Sequence, residues 1–408
     1  MTKTYDIIVG GGGIIGSVTA LAFAKHGLTV ALVDEKLVNA KKNIEFDSRA
    51  YALSRTTINM LCVLGVWKDL VKIAQPILDM KVSDGVAGRG VSPFYMHFDH
   101  RDMEAGPIGY MVEDRFLKSS LWDSISRNTN ISKFFGYKII NQNVNSRLIE
   151  VQLENKRKIF GKLLVGSDGR RSTIAERSGI KRNTFDYGQT SIVCAVSHER
   201  DHLGEAHQFF MPPGPLAILP LKNRISSIVW TEKSEEASHL KTLSDAKFLK
   251  ELKPRFGNFR GQISLKGARY FFPLSLSISK KLVVERVALV GDSAHVVHPI
   301  AGQGLNLGMR DVASLVEIIT IARRCGEDFG TTDVLVRYST WRDFDRLTLY
   351  SFTHLVNKVF SNDSMIIRTL RGIGMGAINN IPGIRRALME EASGHGEGLP
   401  LLMSGRRI

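Results

Sequence analysis

Between Thr4 and Val33 the spacing of apolar positions changes twice. Tyr5 to Val9 (YDIIV) is an almost unbroken apolar, β-branched run, which predicts a strand buried on both faces. The chain then enters Gly10-Gly11-Gly12-Gly13-Ile14-Ile15-Gly16, and SVTALAFAKHG follows with small apolar residues in each turn and Gly27 as a stop. That pattern predicts a closely packed helix. Leu28 to Val33 (LTVALV) is a second buried strand and delivers Asp34-Glu35. Strand, glycine turn, helix, strand and acid form one βαβ unit.

Residues 48–66 carry apolar side chains at helical spacing and predict a second helix. Residues 79–112 alternate instead (FYMHF, IGYMV), which predicts strands inserted between the nucleotide-fold elements. Arg115 to Ile125 is helical again, and Lys162 to Val165 leads into a second glycine turn, Gly166-Ser167-Asp168-Gly169. From Lys181 to Lys281 strands and turns alternate, predicting a mostly antiparallel sheet with a helical insertion near Leu240 to Leu252. Arg286 to Val290 is another buried strand, running into GDSAHVVHPIAGQGLNLGMRD; from Thr332 on the pattern is mostly helical. The predicted fold is α/β. A discontinuous Rossmann-like domain occupies 1–78, 112–180 and 282–330, a mostly antiparallel β-sheet substrate domain 79–111 and 181–281, and a helical region 331–408. Two units suit 408 residues, since single cores stop growing near roughly 250–300.

Composition adds limits. Lys plus Arg number 55 against 40 for Asp plus Glu, a net charge of +15. The basic residues are scattered and no nucleic-acid-binding signature accompanies them, so no nucleic-acid partner is expected. Cys62, Cys194 and Cys325 stand far apart, which predicts reduced, buried thiols, no disulfide framework and no metal site. No apolar run is long enough to span a membrane. MTKTYDIIVGGGG lacks the basic and apolar regions of a signal peptide, so a cytoplasmic protein is expected.

Gly11-x-Gly13-x-x-Gly16 is a weak signal alone and a strong one here, because a strand precedes it, a helix follows and an acid lies about twenty residues on. Gly11 permits the turn, Gly13 lets a pyrophosphate approach the backbone, and Gly16 lets the helix close on the strand. The helix N-terminus, from Ile14 and Ile15, supplies N–H groups to phosphate. Asp34 is the acceptor for ribose hydroxyls, with Glu35 as the neighbouring alternative; an acid there disfavours NADP. Three glycine turns, each after a buried strand, suggest a ligand longer than NAD, namely FAD. Asp292, directly after Gly291, is placed to meet the ribityl chain. Gly302-Gln303-Gly304 opens a helix through Leu305 and Asn306 whose backbone N–H groups suit the pyrimidine edge of a flavin. Gly372-x-Gly374 with Ala377 imitates a second fingerprint, but no strand precedes it, so it reads as helix packing or a bend.

These pieces resemble the FAD-dependent aromatic hydroxylases of the para-hydroxybenzoate hydroxylase type, and among them the ubiquinone-biosynthesis hydroxylases. The resemblance rests on GGGIIG with Asp34, the SDG turn and the GDSAH to GLNLGMRD block, supported by DSRAYALS, GYMVEDRFL and PPGPLAILPL, and it covers nearly the whole chain. It implies an FAD monooxygenase that hydroxylates a polyprenylated phenol with O2 through a flavin C4a-hydroperoxide. It also implies FAD contacts at Arg49 and Arg115, a role for Asp168 and Gly169 toward FAD and the nicotinamide donor, and Pro299 beside the flavin ring. No acid or base is assigned; His295 and His298 read as packing or hydrogen-bonding residues.

Two positions depart from the family pattern. Ala175 stands where an arginine is usual, leaving Arg171 or Arg177 to compensate. Asp114 stands where asparagine is frequent, and a carboxylate near phosphate is unfavourable unless Arg115 pairs with it. Without a second nucleotide fold, electrons come from docked NAD(P)H or a small redox protein. The stretch from Leu355 to Met389 sets Lys358, Arg368, Arg371, Arg385 and Arg386 against the single acid Asp363. That suits peripheral contact with the inner face of the membrane, and a helical cap with a solvated face is the other reading. Assembly with other quinone-biosynthesis proteins is a further expectation. The alternatives are a hydroxylase of a small soluble aromatic and a non-catalytic FAD-binding sensor or assembly subunit.

Overall fold

The computed structural model describes residues 3–36, 45–86, 88, 90–102, 106–297, 302–343 and 398–408. In its first sheet five strands run parallel in the order Val287–Leu289, Lys158–Gly166, Thr4–Gly10, Val30–Asp34 and Ile131–Phe135. Val283–Val284, Ile149–Leu153 and Ile139–Val144 add antiparallel margins. Ile7, Ile8 and Val9 are fully buried, as an apolar run covered on both faces requires, and each such side chain contributes about 1.5–3 kcal/mol. Thr4–Gly10 lies between the strand that follows it in sequence and one reached much later. Its carboxyl end is therefore the point where the winding reverses, and such sheets leave a crevice there.

The second sheet runs His295–Val296, Ile263–Ser279, Arg182–His198, Ile225–Lys233, Pro215–Leu221, Glu205–Phe210, Asp79–Val86 and Gly90–Asp99. All its pairings are antiparallel except Glu205–Phe210 with Asp79–Val86. Trp230, Phe248, Leu252 and Phe256 form the core between this sheet and two helices, Ser234–Thr242 and Asp245–Phe256. The single helical insertion expected near Leu240 is thus two helices, because the Ser244 hydroxyl accepts from Lys247 N and starts a new one. Phe209, Met211, Leu216 and Ile218 from the proline-rich stretch also enter this core.

A small third sheet joins Ala50–Ser54, Gly109–Glu113 and Gln75–Ile77. Residues 48–66 were expected to be helical throughout, yet the helix begins only at Arg55. Ser54 is extended and its side chain accepts from Thr57 N, so it caps the helix and frees the residues before it to pair as a strand. The cysteine expectation also needs correction, since Cys194 is buried but Cys62 and Cys325 are exposed. Residues 332–343 are helical. His298, Pro299, the Gly372-x-Gly374 turn and the basic stretch from Leu355 to Met389 lie outside the described residues. Among the described residues no helix is long and apolar enough to cross a membrane.

Candidate active site

The first glycine turn opens on a cleft of roughly 1620 Å³, larger than the ~300–1,000 Å³ of common small-molecule pockets. Gly11 has φ +103°, and a Cβ there would lie 2.4 Å from Ser167 O. A Cβ on Gly16 would lie 1.7 Å from Gly11 O, so this glycine fixes the closest approach of helix Ile14–Lys25 to the turn. Gly13 differs: a Cβ there would meet nothing within 4 Å, because the position faces the open cleft. It is the N-cap of Ile14–Lys25, with no side-chain cap and no acid in the first turn. Ser17 N makes the first intrahelical bond, to Gly13 O, so the N–H groups of the first turn remain for an anion. Ile14 and Ile15 contribute backbone only: Ile14 is buried in the core and Ile15 packs on Gly291 and Gly308.

Asp34 and Glu35 line the same cleft, Glu35 exposed. Asp34 accepts from Gly12 N with one oxygen and from Lys36 N at 2.7 Å with the other. Its carboxylate is thereby oriented while each oxygen keeps acceptor capacity. Arg49 and Arg115 line the cleft as well, but each is already paired. Arg49 bonds Asp47 and lies 3.2 Å from Asp114; Arg115 Nε donates to Glu113 at 2.7 Å. Asp114 is buried, and its cations are Arg49 and Lys118, the latter at 2.8 Å. Tyr51 donates its hydroxyl proton to the same carboxylate at 2.8 Å. The charge at Asp114 is thus compensated, with Arg49 and Lys118 filling the part expected of Arg115. Burial beside this carboxylate pushes the Tyr51 hydroxyl pKa far up, so it stays a donor.

The other two turns are tied together by Ser293, a member of the GDSAH block for which no role was expected. Its hydroxyl donates to Asp168 at 3.1 Å and accepts from Gly169 N at 3.0 Å. Asp168 also accepts from the Ser172 hydroxyl and from Ile174 N at 3.1 Å. Its acceptor sites are thus largely used within the protein, and what it gives the cleft is an ordered turn. Gly169, at φ +83°, has open space where a Cβ would stand. Gly291, at φ +61°, opens the Asp292 turn, and the Asp292 carboxylate makes no hydrogen bond among the described residues. It is exposed, yet protein crowds it closely enough to raise its pKa, against the lowering pull of Arg170 and Arg182. Asp292 is not among the residues that line the cleft, and as an exposed carboxylate it has acceptor capacity for a polyol.

Gly302, at φ +64°, is the N-cap of helix Gln303–Arg324, which has no side-chain cap and no acid in its first turn. Gly302 is exposed and Gln303, Gly304 and Leu305 half-buried, so this second positive helix end is open. Asn306 serves the framework instead, since its side chain accepts from Ser54 N and the Thr57 hydroxyl and donates to Ala52 O. His295 is turned inward, 3.2 Å from Asp311, with 3% of its side chain exposed. Ala175 faces the core, so an arginine would not fit that environment; Arg171 and Arg177 both reach the cleft. The buried Nη2 of Arg177 has no partner among the described residues. Opposite the glycine turns, Ala268 and Tyr270 of strand Ile263–Ser279 close the cleft, with Phe272 on the same face by the period of two. Tyr270 and Phe272 stack at 14°.

A dinucleotide carrying a pyrophosphate and a polyol fits these residues: the uncapped helix end at Gly13, the oriented carboxylate of Asp34 and an aromatic wall line the cleft, while Asp292 and the open end of Gln303–Arg324 stand outside its lining. Comparison with known proteins agrees. The model of the FAD binding domain family matches residues 3–328. Ubiquinone hydroxylase UbiL of Rhodospirillum rubrum is 36% identical over 406 residues, covering 99% of this chain and 93% of that protein. The 3-demethoxyubiquinol 3-hydroxylase of Escherichia coli is 30% identical, covering 95% and 98%. Among solved structures, p-nitrophenol 4-monooxygenase PnpA of Pseudomonas putida shares the fold with a TM-score of 0.79 over 100% of both chains, at 19% identity. The chain belongs to the FAD binding domain family, among the FAD-dependent aromatic hydroxylases and close to the ubiquinone hydroxylases, and it is an FAD-dependent monooxygenase.

Proposed function

We propose that this chain hydroxylates the aromatic ring of a polyprenylated phenol in ubiquinone biosynthesis, using O2 and electrons from NAD(P)H or a small redox protein. The observation that carries the reading is one cleft with a phosphate cradle at Gly11–Gly16 and an aromatic wall at Tyr270. FAD, when bound, supplies the redox chemistry that places one oxygen atom on the ring and reduces the other to water. The protein's own residues do the remainder. The first turn of Ile14–Lys25 binds the pyrophosphate, Asp34 takes the adenosine ribose, Asp292 the ribityl chain, and the open end of Gln303–Arg324 stabilises negative charge on the ring system. The second sheet roofs the reacting atoms and excludes water. The division into a discontinuous FAD domain, a substrate domain and a helical region from 331 is part of this proposal, supported by the separate hydrophobic cores of the two large sheets.

Deletion of the gene in its native host, followed by mass analysis of quinone precursors, tests the substrate. The expected result is accumulation of a prenylated phenol lacking one hydroxyl group; unchanged quinone with no precursor would contradict it. The basic stretch from Leu355 to Met389 supports peripheral binding to the cytoplasmic face of the membrane, where a lipid-dissolved substrate is met and where other quinone-biosynthesis proteins would assemble with it. On that reading the protein floats with anionic vesicles at low salt and is released at high salt; absence from the vesicle fraction at both would count against it.

A further inference from the structure

We infer that Asp311 is a positioning residue for the flavin seat, and that Arg342, from beyond the long helix, holds it in its working state. Asp311 is wholly buried in the third turn of Gln303–Arg324. One oxygen accepts from Gly291 N at 3.0 Å and lies 3.2 Å from His295 Nε2; the other accepts from Arg342 Nε at 2.9 Å. Arg342 is wholly buried too. The Gly291 N–H belongs to the turn that presents Asp292, so the carboxylate fixes that turn to the long helix. One turn earlier on the helix, Gly308 makes the same junction tight: a Cβ there would lie 3.1 Å from Gly291 Cα and 2.8 Å from Ile15 Cδ1. Helix Ile14–Lys25, the Asp292 turn and the open end of Gln303–Arg324 are therefore held in one fixed relation, and the three are the sites proposed for pyrophosphate, ribityl chain and ring.

A buried carboxylate is costly unless a donor cation faces it. Removal of Arg342 takes the donor from one Asp311 oxygen while the other keeps Gly291 N and the nearby His295, and the turn and helix shift apart as the unpaired oxygen seeks a partner. Removal of both charges avoids that displacement, since an asparagine side chain in place of Asp311 can still accept from Gly291 N. The inference rests on FAD as the occupant of the cleft and is independent of which phenol is hydroxylated.

The test is titration of apoprotein with FAD, followed by flavin fluorescence, for wild type, Asp311→Asn, Arg342→Met and the double variant. Each single variant is expected to bind FAD about tenfold or more less tightly, while the double variant binds more tightly than Arg342→Met alone. Wild-type affinity in both single variants, or losses that add in the double variant, would overturn the inference. A purely structural pair would lower the apoprotein melting temperature and leave the FAD affinity of the folded protein unchanged, which also overturns it. If the single variants do not fold, Arg342→Lys, which keeps the charge and loses the guanidinium geometry, replaces them: weakened FAD binding by the folded protein supports the inference and wild-type affinity rejects it. A wild type that binds no FAD would instead refute FAD as the occupant.

Discussion

Replacing Gly16 with alanine is expected to give a protein that retains no FAD through gel filtration and melts well below the wild type. A methyl group there would sit 1.7 Å from Gly11 O, 2.9 Å from Gly11 C and 2.6 Å from the Ser167 hydroxyl. The first two atoms are backbone, so no rotamer change relieves the contact. Overpacking of a core ordinarily costs about 1–3 kcal/mol, and a clash with backbone belongs at or above the upper end of that range. Helix Ile14–Lys25 must then back away from the turn, carrying its free N–H groups with it. Gly13→Ala is the matched control. Gly13 has φ −62° and ψ −171°, an extended conformation any residue adopts, and its Cβ would point into open space. The apoprotein should lose about 1 kcal/mol or less, the cost of alanine at an N-cap. Its FAD affinity should nevertheless fall by about tenfold or more, because the methyl group stands between backbone and pyrophosphate. A Gly13→Ala variant that binds FAD like the wild type would show that the phosphates lie elsewhere.

Arg286→Met should be strongly destabilising, by about 3 kcal/mol in urea unfolding. Arg286 is fully buried and has φ +57°. Its guanidinium bonds both oxygens of Asp328, Lys162 O at 3.1 Å and Ser146 O at 2.8 Å. It joins the loop before Gly330 to the edge of the parallel sheet, just before strand Val287–Leu289, which leads to the Gly291 turn. Methionine fills much of the volume and leaves those acceptors without their donor, although the Asp328 side chain, 45% exposed, stays partly solvated. The pair also sets a pH signature. The Arg286 guanidinium holds the Asp328 carboxyl below its ordinary value. A depressed carboxyl stabilises the fold above its unfolded pKa and ceases to do so as pH falls through the folded one. The stability gap between wild type and variant should therefore narrow below about pH 4; a gap that widens with acid would contradict the pairing.

Much of the cofactor cradle is local and was legible for that reason. Gly11, Gly13 and Gly16 answer to a turn, an open face and a helix contact that a few neighbouring residues create, and Asp34 stands at the end of the adjacent strand. The uncapped end of Gln303–Arg324 was also readable, because glycines and the absence of first-turn acids are properties of consecutive residues. The contacts that escaped the sequence depend on residues brought together from far apart. Ser293 joins Asp168 across 125 positions, and nothing near either residue announces the contact. Asp114 looked like an unfavourable charge because its cations include Arg49, which lies far earlier in the chain, just before strand Ala50–Ser54. Arg49 and Arg115 were expected as FAD contacts, and the fold places both on the cleft while pairing each with a carboxylate that no motif announced. Asn306 lies in the most distinctive motif of the chain, yet its side chain fastens the long helix to Ser54 and Thr57. Position within a motif identified a neighbourhood, and only the fold distinguished residues that face the cleft from those that hold it open.

Whether the cleft binds FAD and serves aromatic hydroxylation is decided by oxygen consumption of the FAD-loaded protein. The protein is given a chemical or enzymatic reductant with and without a prenylated phenol, and the product mass is read in the same sample. Uptake should rise with the phenol and the product should be heavier by one oxygen atom. Uptake that ignores the phenol with every reductant and yields no oxygenated product would contradict that role.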